Sequence, residues 1–173
     1  TLATGSTEAA YIYWALTASR NVRKVKVLAN SEHGAFKSRW VTVVCSTLTG
    51  PVGAQDLLDV FNYIEPKVPL DVGLDVDGVV VDTVNVVGVV RVYSAYASVA
   101  HAGIAGGLQA LSQRVPIGGY PQGAVPVSEV QTAVFYDNTQ VFDVPVLTSP
   151  AAPISLAYNH LLALTDGTTV VGV

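Results

Sequence analysis

Charge is scarce in this chain, methionine is absent and cysteine occurs once. Of its 173 residues, 13% are charged and 50% are hydrophobic. One cysteine cannot form an intramolecular disulfide, which excludes a disulfide-stapled scaffold. An apolar content this high, with no low-complexity repeat, excludes a disordered or fibrous chain. No run approaches the roughly 18 uninterrupted apolar residues of a membrane helix, and no basic start followed by an apolar centre marks a signal peptide. A chain that begins at Thr1 and holds no methionine reads as a processed product or an excised piece. Catalytic signatures are missing as well. There is no HExxH, CxxC, GxSxG or Walker loop, and His33, His101 and His160 stand apart from one another. The expectation is therefore a protein that is not an enzyme, folded as one domain over residues 1–173, since a chain this long buries roughly 70% of its unfolded surface.

Valine is what the sequence has in excess, 32 residues against 15 leucines. β-Branched side chains lose rotamer freedom in a helix and fit the pleated face of a sheet, so the fold class expected is all-β. The apolar pattern divides into short strand-like runs between turn signals: 9–17, 21–29, 36–47, 68–76, 79–93, 127–136, 140–147, 154–164 and 168–173. Two helices interrupt them. Residues 55–64 place Leu57, Phe61 and Ile64 at helical spacing before Glu65-Pro66, and 98–114 place Ile104, Leu108 and Leu111 likewise around Gly106-Gly107. Those glycines lack the spacing of a phosphate cradle and read as helix-packing residues. The run 79–93 holds nine valines in fifteen residues, interrupted at every third position by Asp82, Asn85, Gly88 and Arg91. That pattern predicts a long or broken strand covered on both faces, central to a core or to an interface. Turns are expected at Asp77-Gly78, at Asp137-Asn138-Thr139 and at Asp166-Gly167.

This order of elements resembles the jelly-roll coat proteins of small icosahedral RNA viruses, in which two four-stranded sheets face each other and short helices follow the third and fifth strands. Residues 55–64 and 98–114 occupy those helix slots, and the resemblance spans nearly the whole chain without a diagnostic motif. It departs from the family where the Asp77-Gly78 and Asp137–Thr139 signals suit ordinary hairpins. The resemblance implies an antiparallel two-sheet β-sandwich, an eight-stranded jelly roll with one or two short helices. It further implies a capsid subunit that self-associates in a virion around viral RNA, with a host receptor as a further partner and Ca²⁺ between subunits. The alternative is a β-sandwich receptor- or carbohydrate-binding module, such as a protruding capsid domain.

Charge is unevenly placed. Six basic and two acidic residues lie before residue 50, three basic and eleven acidic after it. Arg20, Arg23, Lys24, Lys26, Lys37 and Arg39 can neutralise phosphates without reading bases, and they are the RNA-binding candidates; the bland alternative is lysine protecting an edge strand. Alternation puts Lys24 and Lys26 on one side of their strand, and Lys37 and Arg39 repeat the spacing, so one continuous basic strip is expected. Asp75, Asp77 and Asp82 are the metal candidates, offering oxygens for Ca²⁺, against the commoner reading of a solvated strand face. An EF-hand is excluded because its register would put Gly73 and Val84 at carboxylate positions. Two of these aspartates could also be written as a glycosidase pair, a pattern too common to support that chemistry. Cys45, inside an apolar run, reads as a buried thiol. Tyr11, Tyr13, Trp14, Tyr93 and Tyr96 read as packing aromatics, with a sugar platform as the alternative.

Overall fold

A computed structural model describes residues 7–121, 123–135, 141 and 146–173. Among the described residues are four α-helices and nine strands, so the class is mixed α/β, and the all-β expectation is corrected. The chain forms two compact units. The first comprises residues through Val81 together with Tyr158–Leu161, the second 82–157 together with Leu162–Val173.

The first unit begins with a helix, α1 (Glu8–Ala18), where a strand was expected. Thr7 caps it by accepting a hydrogen bond from the Ala10 amide at 3.4 Å, and Glu8 sits in the first turn, where the helix dipole favours an anion. Tyr11, Trp14, Ala15 and Ala18 recur at i, i+3, i+4 and i+7 and face the core. Strands β1 (Lys24–Glu32) and β2 (Ala35–Ser46) form an antiparallel hairpin. Its loop is His33-Gly34, with φ of 46° and 85°, the left-handed pair that two-residue hairpins require. Helix α2 (Ala54–Ile64) then carries the chain back to β3 (Gly73–Gly78), which pairs with β2 in parallel. Parallel neighbours need a crossover of about a dozen residues or more, and α2 supplies it. The sheet order is β1-β2-β3. Val43, Cys45, Val60 and Ile64 lie at the centre of a core that α1 and α2 share with one face of this sheet. Burial pushes the Cys45 thiol up to about 12, which makes it an inert packing residue, as expected.

The second unit is built around β4 (Val80–Val92), whose last eleven residues it contains. Helices α3 (Ala100–Arg114) and α4 (Val127–Phe135) pack against it through Ile104, Leu108, Leu111, Val130 and Val134. Helix α4 replaces a second expected strand. Its valines and threonine favour a strand locally, but Val130, Ala133 and Val134 give a helical stripe, and burying that stripe outweighs intrinsic preference. Strand β6 (Val146–Ser149) flanks β4 on one side, β8 (His160–Asp166) on the other, and β9 (Thr169–Gly172) continues along β4 in parallel. Strands β5 (Ala124–Val125) and β7 (Ile154–Ser155) form a separate two-stranded pair. The parallel β2–β3 and β4–β9 pairs also correct the expectation of purely antiparallel sheets. The turn at Asp137–Thr139 and most of the run 140–147 lie outside the described residues.

One face of β4 is closed and the other open. Val86, Val90 and Val92 are fully buried, whereas Val87 is 38% and Val89 46% exposed. Within the chain, therefore, only one of the two faces expected to be covered is covered. The valine-rich run alternates with period two, and the third-position interruptions fall on both faces.

Candidate functional site

In the first unit the densest polar constellation forms at the tip of the β1–β2 hairpin. Alternation along β3 turns Leu74 and Val76 into the core and Asp75 and Asp77 away from it, as their spacing predicts. The primed turn delivers the His33 ring to these carboxylates. His33 Nδ1 lies 2.9 and 3.0 Å from the two oxygens of Asp77, and Nε2 lies 3.6 Å from Asp75 Oδ1. Trp40 Nε1 donates to Asp75 at 2.5 Å, and the Tyr158 hydroxyl reaches Asp77 at 3.5 Å. The backbone amide of His33 donates to Thr42 Oγ1, which in turn donates to the Ser31 carbonyl, so the turn itself is fastened to β2.

Two glycines make the close packing possible. A Cβ on Gly34 would overlap the Tyr158 ring, and one on Gly73 would overlap the Trp40 indole. Hydrogen bonding to Asp77, helped by the charges of Asp77, Asp75 and Glu32, raises His33 above its ordinary pKa. Tyr158 is raised by burial and then by the charge and hydrogen bond of Asp77. The arrangement is a hydrogen-bonded clasp joining the hairpin tip, β3 and residue 158. Sequence reasoning treated His33 as isolated and missed Trp40 and Tyr158. His33-Gly34 between two alternating runs is a readable hairpin signal, whereas the reach from Tyr158 to Asp77 crosses 81 positions and has no local signature.

The metal candidates do not converge as a set. Asp75 and Asp77 belong to the first unit and Asp82 to the second. Among the described residues no three His, Cys, Asp or Glu side chains are grouped to hold a metal ion. In place of a cation, Asp75 and Asp77 face the imidazole, the indole N–H and the phenol. Asp71 pairs with Arg39 at 3.1 Å.

The six basic candidates do not form one strip, which corrects that expectation. Lys24 and Lys26 lie opposite Ser46 and Val44 on the sheet face that also carries Asp75 and Asp77, and burial lowers both of their pKa values. Lys37 and Arg39 sit further along β2, where the register jumps from Ala29↔Val41 to Ser31↔Phe36. That bulge sends Lys37 to Glu32 and over the Trp40 ring, and Arg39 to Asp71. Arg20 and Arg23 are placed differently. They flank a recess of about 440 Å³ whose other walls are Leu16 of α1 and Val22.

The second unit offers a different kind of site. The outer face of its sheet presents Val87, Val89 and Arg91 from β4, Val146 from β6 and Val171 from β9, with threonines between them. Val146 is 71% exposed and Val171 41%. Among the described residues of this unit, both helices pack on the opposite face. At the end of β8, Asp166 accepts from His101 Nδ1 at 2.7 Å and from the Thr168 amide and hydroxyl at 2.9 and 2.7 Å. Burial pulls Asp166 up, and these hydrogen bonds together hold it below its ordinary value. They tie the β8–β9 turn to α3. Tyr93 and Tyr96, just beyond the end of β4, are each about half exposed.

No protein-family model matches the chain, and no curated protein matches it.

Proposed function

We propose that this chain is a structural subunit that works by associating with copies of itself, the coat protein of a shell around RNA in a virion. The observation that supports this reading is the open Val/Thr face of the second unit. A sheet packed by helices on one side normally keeps its other side polar, alternating hydrophobic-in with polar-out. Here the outward positions of β4, β6 and β9 are largely valine and threonine around a single arginine, so burying them against another surface removes apolar area from water at about 25 cal/mol per Å² and desolvates few charges. The reading rests on this surface and not on a β-sandwich.

A second reading is favoured by the exposed Tyr93 and Tyr96, which suit a module that stacks a sugar ring or docks a receptor. Electron microscopy of the purified chain at rising concentration separates the two. Closed shells support the coat reading. A monomer that is retained on immobilised glycans supports the module and overturns the shell.

A further inference from the structure

Most basic residues of the chain are already engaged. Lys37 pairs with Glu32, Arg39 with Asp71 and Arg114 with Glu129, while Lys67 lies over the Tyr63 ring. Arg20 and Arg23 are the exception among the arginines, since neither guanidinium has a hydrogen-bond or ion-pair partner among the described residues. They are the second and the last residues of the five-residue connection from α1 to β1. The Arg23 amide donates to the Ser46 carbonyl, which pins the connection to β2. Ser19 Oγ and Asn21 Nδ2 donate to Asp56 on α2 at 2.6 and 3.0 Å, which pins it to the helix. Two free guanidinium forks are thus held on a fixed backbone beside the exposed Leu16, with the buried Val22 beneath.

We propose that this recess binds phosphate groups of single-stranded nucleic acid, with Arg20 and Arg23 clamping the phosphate and the exposed Leu16 side chain receiving an apolar base face. A planar guanidinium matches two phosphate oxygens at once, and a pair of forks with no carboxylate to release meets an anion without breaking existing contacts. A strand supplies both halves of the match, charge for the arginines and a π-face for Leu16. Lys24 and Lys26 are poorer partners because their ammonium groups are partly desolvated and share a sheet face with Asp75 and Asp77. The inference rests on the nucleic-acid part of the coat reading and moves its contact from a six-residue strip to these two residues.

Fluorescence anisotropy with a labelled oligouridylate of about twelve nucleotides, long enough for one contact patch, tests it on the full chain. Wild type should bind with a salt-dependent affinity. Arg20→Gln with Arg23→Gln should weaken binding by about tenfold or more and flatten the logarithmic salt slope by about 1.4, or 0.7 for each lost phosphate contact. Arg20→Lys with Arg23→Lys should fall between the two, because charge is kept and the fork lost. Lys24→Gln with Lys26→Gln should bind like wild type. Circular dichroism and melting curves identical to wild type show that the fold is kept.

Equal binding by wild type and the Arg20→Gln/Arg23→Gln variant would overturn the inference and leave the coat reading standing. Arginine-dependent binding by a chain that never assembles would do the reverse. Displacement of the strand by uridine monophosphate at equal phosphate concentration would overturn the strand assignment in favour of a free nucleotide.

Discussion

His33 carries a pH dependence whose sign follows from its contacts. Its pKa is raised in the folded state, first by the Asp77 hydrogen bond, so the clasp contributes stability below the unfolded value of about 6.5 and loses it as pH rises through the folded value. His33→Gln should therefore lower the melting temperature near pH 6 and have a much smaller effect near pH 8; a pH-independent difference would show that the ring only fills space. Gly34 makes a second test at this site. Gly34→Ala places a Cβ at positive φ and against the Tyr158 ring, and should cost about 1–3 kcal/mol in chemical denaturation. In a Tyr158→Ala background the overlap disappears and the cost should shrink toward the backbone term alone. Equal costs in both backgrounds would mean that the ring does not pack there.

Strand β4 is the most legible element of the fold, and within the chain only one of its two faces is covered. Nine valines within residues 79–93 fix it as a strand, but composition does not say which face has a partner. The structure divides the faces, and neighbouring substitutions should therefore behave in opposite ways. Val86→Asp puts an uncompensated carboxylate into the core beneath α3 and α4 and should unfold the protein or cost about 3 kcal/mol or more. Val87→Asp faces outward and should cost about 1 kcal/mol or less. Similar melting curves for the two would contradict the alternation.

Helices α1 and α4 show why other elements were less legible. Tyr11, Tyr13 and Thr17 in the first, and four β-branched residues in the second, speak for strand locally. The burial stripes Tyr11-Trp14-Ala15-Ala18 and Val130-Ala133-Val134 speak for helix and decide the outcome. In both segments the helical spacing was present in the sequence, hidden by residue types that favour sheets. The outward turn of Asp75 and Asp77 was legible from alternation alone. Their partners were not, because a primed turn, a bulge and a residue 81 positions away bring them together.

On the scale of the whole molecule, each unit covers one sheet face with two helices, and in the second unit the other face carries valine and threonine. Unpaired arginines mark the α1–β1 connection, while the sheet face of the second unit carries a single arginine among apolar residues. On the proposed coat reading, this sheet face is nearly free of charge, so association through it should weaken little as salt is raised, whereas nucleic-acid binding should weaken steeply. Light scattering at about 0.1 and 1 M salt checks the contrast, since a Debye length of about 10 Å at the lower concentration shrinks to about 3 Å at the higher. Dissociation of the assemblies at high salt would place the contacts on charged residues instead.

Size-exclusion chromatography with light scattering, comparing wild type with the Val87→Asp/Val89→Asp variant, is the most direct test of assembly through this face. Wild type should elute as large oligomers or closed particles, and the variant should elute as a monomer with the same circular dichroism spectrum. A wild-type chain that stays monomeric at every concentration, or a variant that assembles as wild type does, would contradict the account.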